Sequence, residues 1–291
     1  MTTTLIRASE IDVLAPLPAS LARLAAVVAN PDSSASDVAG VIELDQALTA
    51  NTIRLANSAW SGSLRRIETV RDAVLRLGAG RILELAVGER VSGAMSRACP
   101  GYELGEYELW RHSVAAALAT EHLGRFARQR VPGVAFTAAL LHDIGKLLLT
   151  RHLDGGTVAR IRETAATGGM TYLEAERRVL GTDHAEVGGA VARHWEFPPE
   201  IITAIERHHD PEAEPGPVLD AVHIANAVAK LDGIGLGSEQ MNMTASSEAA
   251  GRLGLSSSGL ESLCATVMDE LTRKEELWGL KAHGIERTHR G

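Results

Sequence analysis

A histidine and an aspartate stand side by side in the apolar run Leu140-Leu141-His142-Asp143-Ile144-Gly145-Lys146-Leu147. No other stretch restricts the possible folds as much. Apolar flanks send the pair into an interior, where an unpaired charge is expensive. An interior Asp needs a cation or several donors around it, and the rest of the chain has to supply them. Adjacent residues on a helix do not face each other. Both can still reach one metal where it sits against a helix end or a local bend.

The surrounding core must be aliphatic, because 45% of the residues are hydrophobic and only 3% are aromatic. Its apolar positions recur at helical spacing. Leu21, Leu24, Ala25 and Val28 follow a candidate cap at Ser20, and Ser36 or Asp37 can start the next helix. Asp45 and Thr69 are further candidate caps, and Gly78 ends the helix after Thr69. Pro16 and Pro18, Asn30-Pro31-Asp32, Cys99-Pro100-Gly101, Pro132-Gly133 and the proline-rich 210–217 break the pattern. Between the breaks, helices are predicted over 106–129, 135–141 with continuation through 147–153, 156–167, 171–180, 185–195, 199–207, 218–231 and 260–277. A loop is expected at 57–62 and a loose connector at 233–247. No alternating strand pattern and no internal repeat is visible, so an all-α protein is expected, a multi-helix bundle with a subdomain boundary near Cys99.

Net charge is −8 with His neutral, which argues against a basic nucleic-acid face. Cys99 and Cys264 are far apart and form neither a disulfide framework nor a CxxC site. A reducing cytoplasm is therefore the expected compartment. The N-terminus shows no signal peptide, and no apolar run reaches the ~18 residues of a membrane span.

Candidate ligands are spread along the second half. Glu108 and His112 are four apart, which places both on one helix face. Such pairs chelate metal in helical bundles, though a surface pair has the same spacing. His184 opens a segment rich in small residues. His208 and His209 end the helix over 199–207, where imidazolium is also favoured by the helix dipole. With His142 and Asp143 these are N and O donors, suited to Fe, Mn, Zn or Mg rather than to a thiolate site. Asp143 could bridge two metals, and such a pair activates water and clamps phosphoryl oxygens.

The order His112, His142-Asp143, His184, His208-His209 resembles the HD superfamily of metal-dependent phosphohydrolases, and Leu141-His142-Asp143-Ile144-Gly145-Lys146 is similar to the motif of its HD-GYP branch. Pro16-Leu17-Pro18, Asp45-Gln46-Ala47-Leu48-Thr49, Leu55-Ala56-Asn57-Ser58-Ala59, Ala73-Val74-Leu75-Arg76-Leu77-Gly78 and Trp195-Glu196-Phe197-Pro198 resemble the HDOD (HD-related output) domain of bacterial signalling. This resemblance covers 12–230, with an N-terminal helical subdomain over 12–100 and an HD-like metal-site subdomain over 101–230. A lead-in over 1–11 and a connector with a C-terminal helical extension over 231–291 flank it.

The resemblance implies that Glu108, His112, His142, Asp143, His184, His208 and His209 are metal ligands for one or two divalent ions. It implies catalytic roles for Asp143 and Lys146 if the protein is active. It also implies protein partners in a signalling pathway, and a nucleotide as a further ligand. Two departures stand out. Asp210-Pro211-Glu212-Ala213-Glu214-Pro215 replaces the Gly-Tyr-Pro segment, and Asn226 stands where a late Asp ligand belongs. A neutral amide is a weaker ligand than a carboxylate. The expectation is a signalling output and interaction protein with an HD-type metal pocket and without cyclic-di-GMP phosphodiesterase activity. The alternative is an active phosphohydrolase on a nucleotide or cyclic dinucleotide.

Overall fold

The computed structural model describes residues 19–57, 67–239 and 245–277. The expected lead-in, with Pro16, Leu17 and Pro18, lies outside these residues, as does most of the expected loop at 57–62. Among the described residues the chain is helical and contains no β-strand, only an isolated bridge between Cys99 and Leu104. None of these helices is long and apolar enough to cross a membrane.

The first four helices are α1 (Ala19–Ala29), α2 (Ala35–Glu43), α3 (Gln46–Ala56) and α4 (Val70–Leu77). Their starts are written in short polar side chains that accept the orphan amides of a first turn. Ser34 caps α2 in a capping box with Asp37, Asp45 accepts from Leu48 N, and Thr69 accepts from Asp72 N. Ser34, rather than Ser36 or Asp37, is thus the cap of α2. Ser20 lies inside α1 and donates to Asp45 Oδ2 at 2.6 Å, tying α1 to the start of α3. Helix α5 (Ala79–Met95) follows directly and packs against both α1 and the second half.

The second half comprises α6 (Glu108–Leu123), α7 (Ala135–Leu141), α8 (Gly145–Leu149), α9 (Gly155–Gly168), α10 (Tyr172–Leu180), α11 (His184–His194), α12 (Pro199–Arg207) and α13 (Pro217–Leu231). After a connector come α14 (Ser247–Leu253) and α15 (Ser257–Leu277). Helix α6 ends at Leu123, short of the expected 129, because Gly124 follows. Pro199 at the first position of α12 supplies a fixed φ and no surplus amide.

Helix α13 is the axis of this half. Every residue from 218 to 230 is buried, and it packs against α6, α7 and α12. Small side chains let the backbones approach: Ala115, Ala116, Ala117 and Ala119 on α6 are fully buried. The closest approach is between α8 and α11. A Cβ on Gly145 would strike His184 O and lie 2.7 Å from Gly188 N. The glycine after His142-Asp143-Ile144 is therefore fixed by packing. The helix expected to run through the motif is interrupted at 142–144 by a turn, and α8 follows it, packed against α11.

Candidate metal centre

His112 comes from the middle of α6, His142 and Asp143 from the turn between α7 and α8, and His184 from the first position of α11. His208 and His209 follow the end of α12. The fold brings these six together. His112, His142 and Asp143 form one group of donor atoms within 4.8 Å of one another, and His184, His208 and His209 form a second.

Asp143 stands between the groups and divides its oxygens. Oδ2 is 3.4 Å from His142 Nε2 and 3.6 Å from His112 Nε2, while Oδ1 is 3.5 Å from His184 Nε2 and 3.8 Å from His208 Nε2. Burial opposes its charge, but the Lys146 ammonium and the surrounding rings outweigh it and hold the carboxyl well below the usual range.

Glu108 does not join them. It occupies the first position of α6, one turn before His112, and its carboxylate accepts from Gly105 N at 2.6 Å. At a helix start a side-chain carboxylate has free amides to satisfy, and this one closes the preceding turn. A different carboxylate takes a place in the pocket. Glu239 lies in the connector expected to be loose, at the end of the 3-10 turn Gly237–Glu239. It forms a third group with Asp143 and His184. Nothing in its local sequence marks it, because a polar, glycine-containing stretch reads as a solvated loop.

The proton positions follow from the second nitrogen of each ring. Nδ1–H of His112 donates to Ile234 O at 2.8 Å, that of His142 to Ala139 O at 2.7 Å, and that of His208 to Ile205 O at 2.8 Å. A carbonyl only accepts, so these nitrogens carry the hydrogen and each neutral ring turns an Nε2 lone pair inward. Burial depresses the pKa of all three rings, that of His112 to about 4, so they are neutral at pH 7.

His112 Nε2 and His142 Nε2 are 3.2 Å apart with no proton between them, and the Asn226 amide lies 3.1 Å from the former. His208 Nε2 and Asp143 Oδ1 are buried with no hydrogen-bond partner. Such an arrangement fits a cation. Two atoms each bonded at about 2.0–2.2 Å to one ion lie about 3–3.5 Å apart. The bonds from the remote ring nitrogens also resemble the partners that orient metal-binding imidazoles.

His184 differs from the other rings. Its Nδ1–H donates to Glu176 Oε2 at 2.8 Å, and Glu176 Oε1 accepts from Tyr102 OH at 2.6 Å. Burial opposes the charged ring, but Glu176 and Glu239 outweigh it and raise its pKa to about 9. Without an ion, Nε2–H donates to His209 Nε2 at 2.9 Å. An ion bound here must displace that proton.

Lys146 Nζ lies 2.7 Å from Asp143 Oδ2, 2.6 Å from Glu239 Oε1 and 5.5 Å from the centre of the Tyr102 ring. It is held charged by the two carboxylates, which outweigh its burial. Asp220, six residues before Asn226, is turned away and pairs with Arg252 at 2.7 Å. His223 is structural: its Nδ1–H donates to His208 O at 2.8 Å, and its Nε2 accepts from Ser246 N at 3.0 Å.

An all-helical interior that converges four further imidazoles on the His142-Asp143 pair defines the class, a helical protein with an HD-type site. Within it, the HDOD domain family matches residues 14–211, and the chain belongs to that family. The chain is 28% identical over 252 residues to an uncharacterized protein of Treponema pallidum (strain Nichols), an alignment covering 78% of this chain and 44% of that one. The chain thus spans less than half the length of that relative. Among solved structures it is similar to an HDOD domain protein of unknown function from Geobacter sulfurreducens, with 26% identity, TM-score 0.60, and 88% and 92% of the two chains covered. It is also similar to a candidate phosphohydrolase from Shewanella amazonensis SB2B, with 27% identity, TM-score 0.57, and 92% and 94% covered.

Proposed function

We propose that this protein is an output and interaction module of bacterial signal transduction whose HD-type pocket holds at least one divalent ion, and that it does not hydrolyse cyclic di-GMP. The observation that carries the metal reading is that His208 Nε2 and Asp143 Oδ1 are both buried without a hydrogen-bond partner, beside the clustered donor atoms of His184, His208 and His209. His184, His208, His209 and Asp143 Oδ1 would hold the ion. On the other side, Asp143 Oδ2 is already engaged by Lys146 and the late carboxylate is replaced by Asn226. That imbalance favours one ion over two. Three imidazole nitrogens to one carboxylate oxygen favour Fe, Mn or Zn over Mg. When bound, such an ion polarises phosphoryl oxygens or acidifies a water.

The partner would be another protein of the pathway. Support for this comes from Leu44, Leu75 and Leu85 in the first half, which expose 75%, 64% and 36% of their surface. The second reading, a phosphohydrolase acting on a nucleotide or cyclic dinucleotide, is favoured by Lys146 beside the donor cluster and by the similarity to the Shewanella protein.

The test is to purify the full chain without chelator, measure bound metal, and assay phosphodiester and nucleotide hydrolysis with Mn or Fe supplied. The expected result is about one ion per chain, lost in His208→Ala, with no turnover of cyclic di-GMP. Turnover that disappears in Asp143→Ala would establish the second reading. Folded protein that takes up no ion would overturn the metal pocket.

A further inference from the structure

Two buried ammonium groups in the pocket wall, Lys146 and Lys230, are not explained by metal binding, and they share one carboxylate, Glu239, which also stands among the donor atoms. Lys230 is on α13, four residues after Asn226, and Glu239 follows in the connector; both lie beyond the part of the chain that the family matches. Lys230 Nζ donates to Glu239 Oε2 at 2.5 Å, and Lys146 Nζ is 2.6 Å from Glu239 Oε1. All three residues are at least nine-tenths buried. Two lysines from different helices thus aim at one point, and a carboxylate of the same chain fills it.

The connector is pinned so as to put it there. Ile234 O receives the His112 Nδ1–H bond. Gly235 has φ +59°, and a Cβ on it would lie 2.7 Å from His112 Cβ and 2.9 Å from Glu108 O. Gly237 has φ +46°, and a Cβ there would lie 2.9 Å from Leu104 Cδ2. Only glycine combines these left-handed conformations with such close approach. The segment lies flat on α6 and on the 99–104 turn and ends with Glu239 over the pocket.

Glu239 and Lys230, but not Lys146, line a cavity of about 350 Å³ whose other charged lining residues are Arg177, Glu174 and Asp210. A ligand entering from there meets Glu239 before it reaches Lys146. The charges point to the ligand's sign. Asp143 and Glu239 carry two negative charges against two positive charges on Lys146 and Lys230. Removing only Glu239 leaves one positive charge uncompensated in a buried place, where the cost of such a charge is high. An anion with several acceptor oxygens compensates it, and a phosphate group offers two lysines separate oxygens as a carboxylate does.

We propose that Lys146 and Lys230 form a binding site for a phosphate group, and that Glu239 is the built-in occupant which that group must displace. The site shares Lys146 with the pocket described above but needs no metal. Its failure is therefore separable from failure of the metal reading.

The test uses the full chain treated with chelator, with calorimetric titration of inorganic phosphate and, separately, a nucleoside 5′-monophosphate, at matched ionic strength. Glu239→Gln is expected to bind phosphate at least about tenfold more tightly than the wild type, a difference of about 1.4 kcal/mol. The double variant Lys230→Met with Glu239→Gln is expected to lose that gain. A gain for inorganic phosphate alone assigns the site to the free anion, and a larger gain for the nucleotide assigns it to a nucleotide's phosphate. No gain for either, a gain that survives in the double variant, or an equal gain for chloride would overturn the proposal. If Glu239→Gln does not fold, Glu239→Asp decides. Its shorter carboxylate keeps the charge but reaches less far, so tighter phosphate binding than wild type is expected, and equal or weaker binding would refute the proposal.

Discussion

Residues 19–77 and residues 108–239 build their interiors by different rules. Helices α1 to α4 bury Leu21, Leu24, Val38, Ile42, Val70 and Val74, and Thr52 is the one buried polar residue among their described positions. The second half buries His112, His142, Asp143, Lys146, Glu176, His184, His208, Asn226, Lys230 and Glu239. In the first region each helix contributes apolar area independently, at about 25 cal/mol per Å². In the second, each polar group is tolerable only because another, far away in sequence, meets it. The first region should therefore be forgiving and nearly indifferent to pH. The second should fail as a unit.

The sharpest way to break this contrast is acid. Burial lowers the pKa of His112 to about 4, and those of His142, His208 and His209 also fall, His209 with help from His208 after burial. Unfolded, each ring titrates near 6.5. Below that value the unfolded chain binds more protons, so stability rises with pH and is lost as pH falls from 6.5 through the folded values. For His112 alone the gap of about 2.5 units amounts to about 3 kcal/mol, and the other three rings act in the same direction. Against the stability of an ordinary domain, about 5–15 kcal/mol, the His112 contribution alone is already large. His184 opposes them: its raised pKa of about 9 stabilises the fold below 6.5 and is lost as pH passes 9. The metal-free protein is expected to lose helical circular dichroism between pH 6.5 and 4. Added Mn or Zn should move the midpoint lower. A melting temperature unchanged over that range would mean that the rings are not held neutral.

Next in size is Gly145→Ala. The added methyl meets the backbone of α11 at His184 O and Gly188 N, neither of which can rotate away. A loss of more than about 4 kcal/mol is expected in denaturant unfolding, with metal uptake lost in parallel. A variant that folds with near-native stability would show that α8 and α11 are not in contact as described.

These effects also show what a reader of the chain can and cannot see. Helix α12 is legible because Pro199 opens it and the apolar Ile201, Ile202 and Ile205 recur at helical spacing. The five converging histidines and Asp143 are legible through their order along the chain, which resembles the HD superfamily, since each position taken alone also fits a cap or a surface group. Glu108 misleads for a local reason: four residues before His112 is ligand spacing, but it is also the first turn, where a carboxylate finds free amides. Glu239 and Lys230 are illegible for a global reason. Their pairing with Lys146 depends on where the connector crosses α6, which no local pattern encodes. The N-terminal helix starts fall between these cases, since Asp45 and Thr69 cap as their positions suggest while Ser34 takes the place expected of Ser36 or Asp37.

The smallest effect reverses the sign of the same chemical change. Gly40 lies within α2, is exposed, and has nothing within 4 Å of a Cβ built on it. Alanine there adopts the helical backbone without contact, while the unfolded chain loses conformational freedom. Gly40→Ala is expected to stabilise the protein by about 0.5–1 kcal/mol. Metal content and phosphate affinity should not change, because α2 packs chiefly on α1, α3 and α4, none of which carries a residue of the pocket. A destabilised Gly40→Ala, or one with altered metal content, would mean that the first half is coupled to the buried polar network rather than packed beside it. Opposite signs at Gly40 and Gly145 would instead show that space around the Cβ, and not the helical setting the two glycines share, decides what a methyl group does in each half.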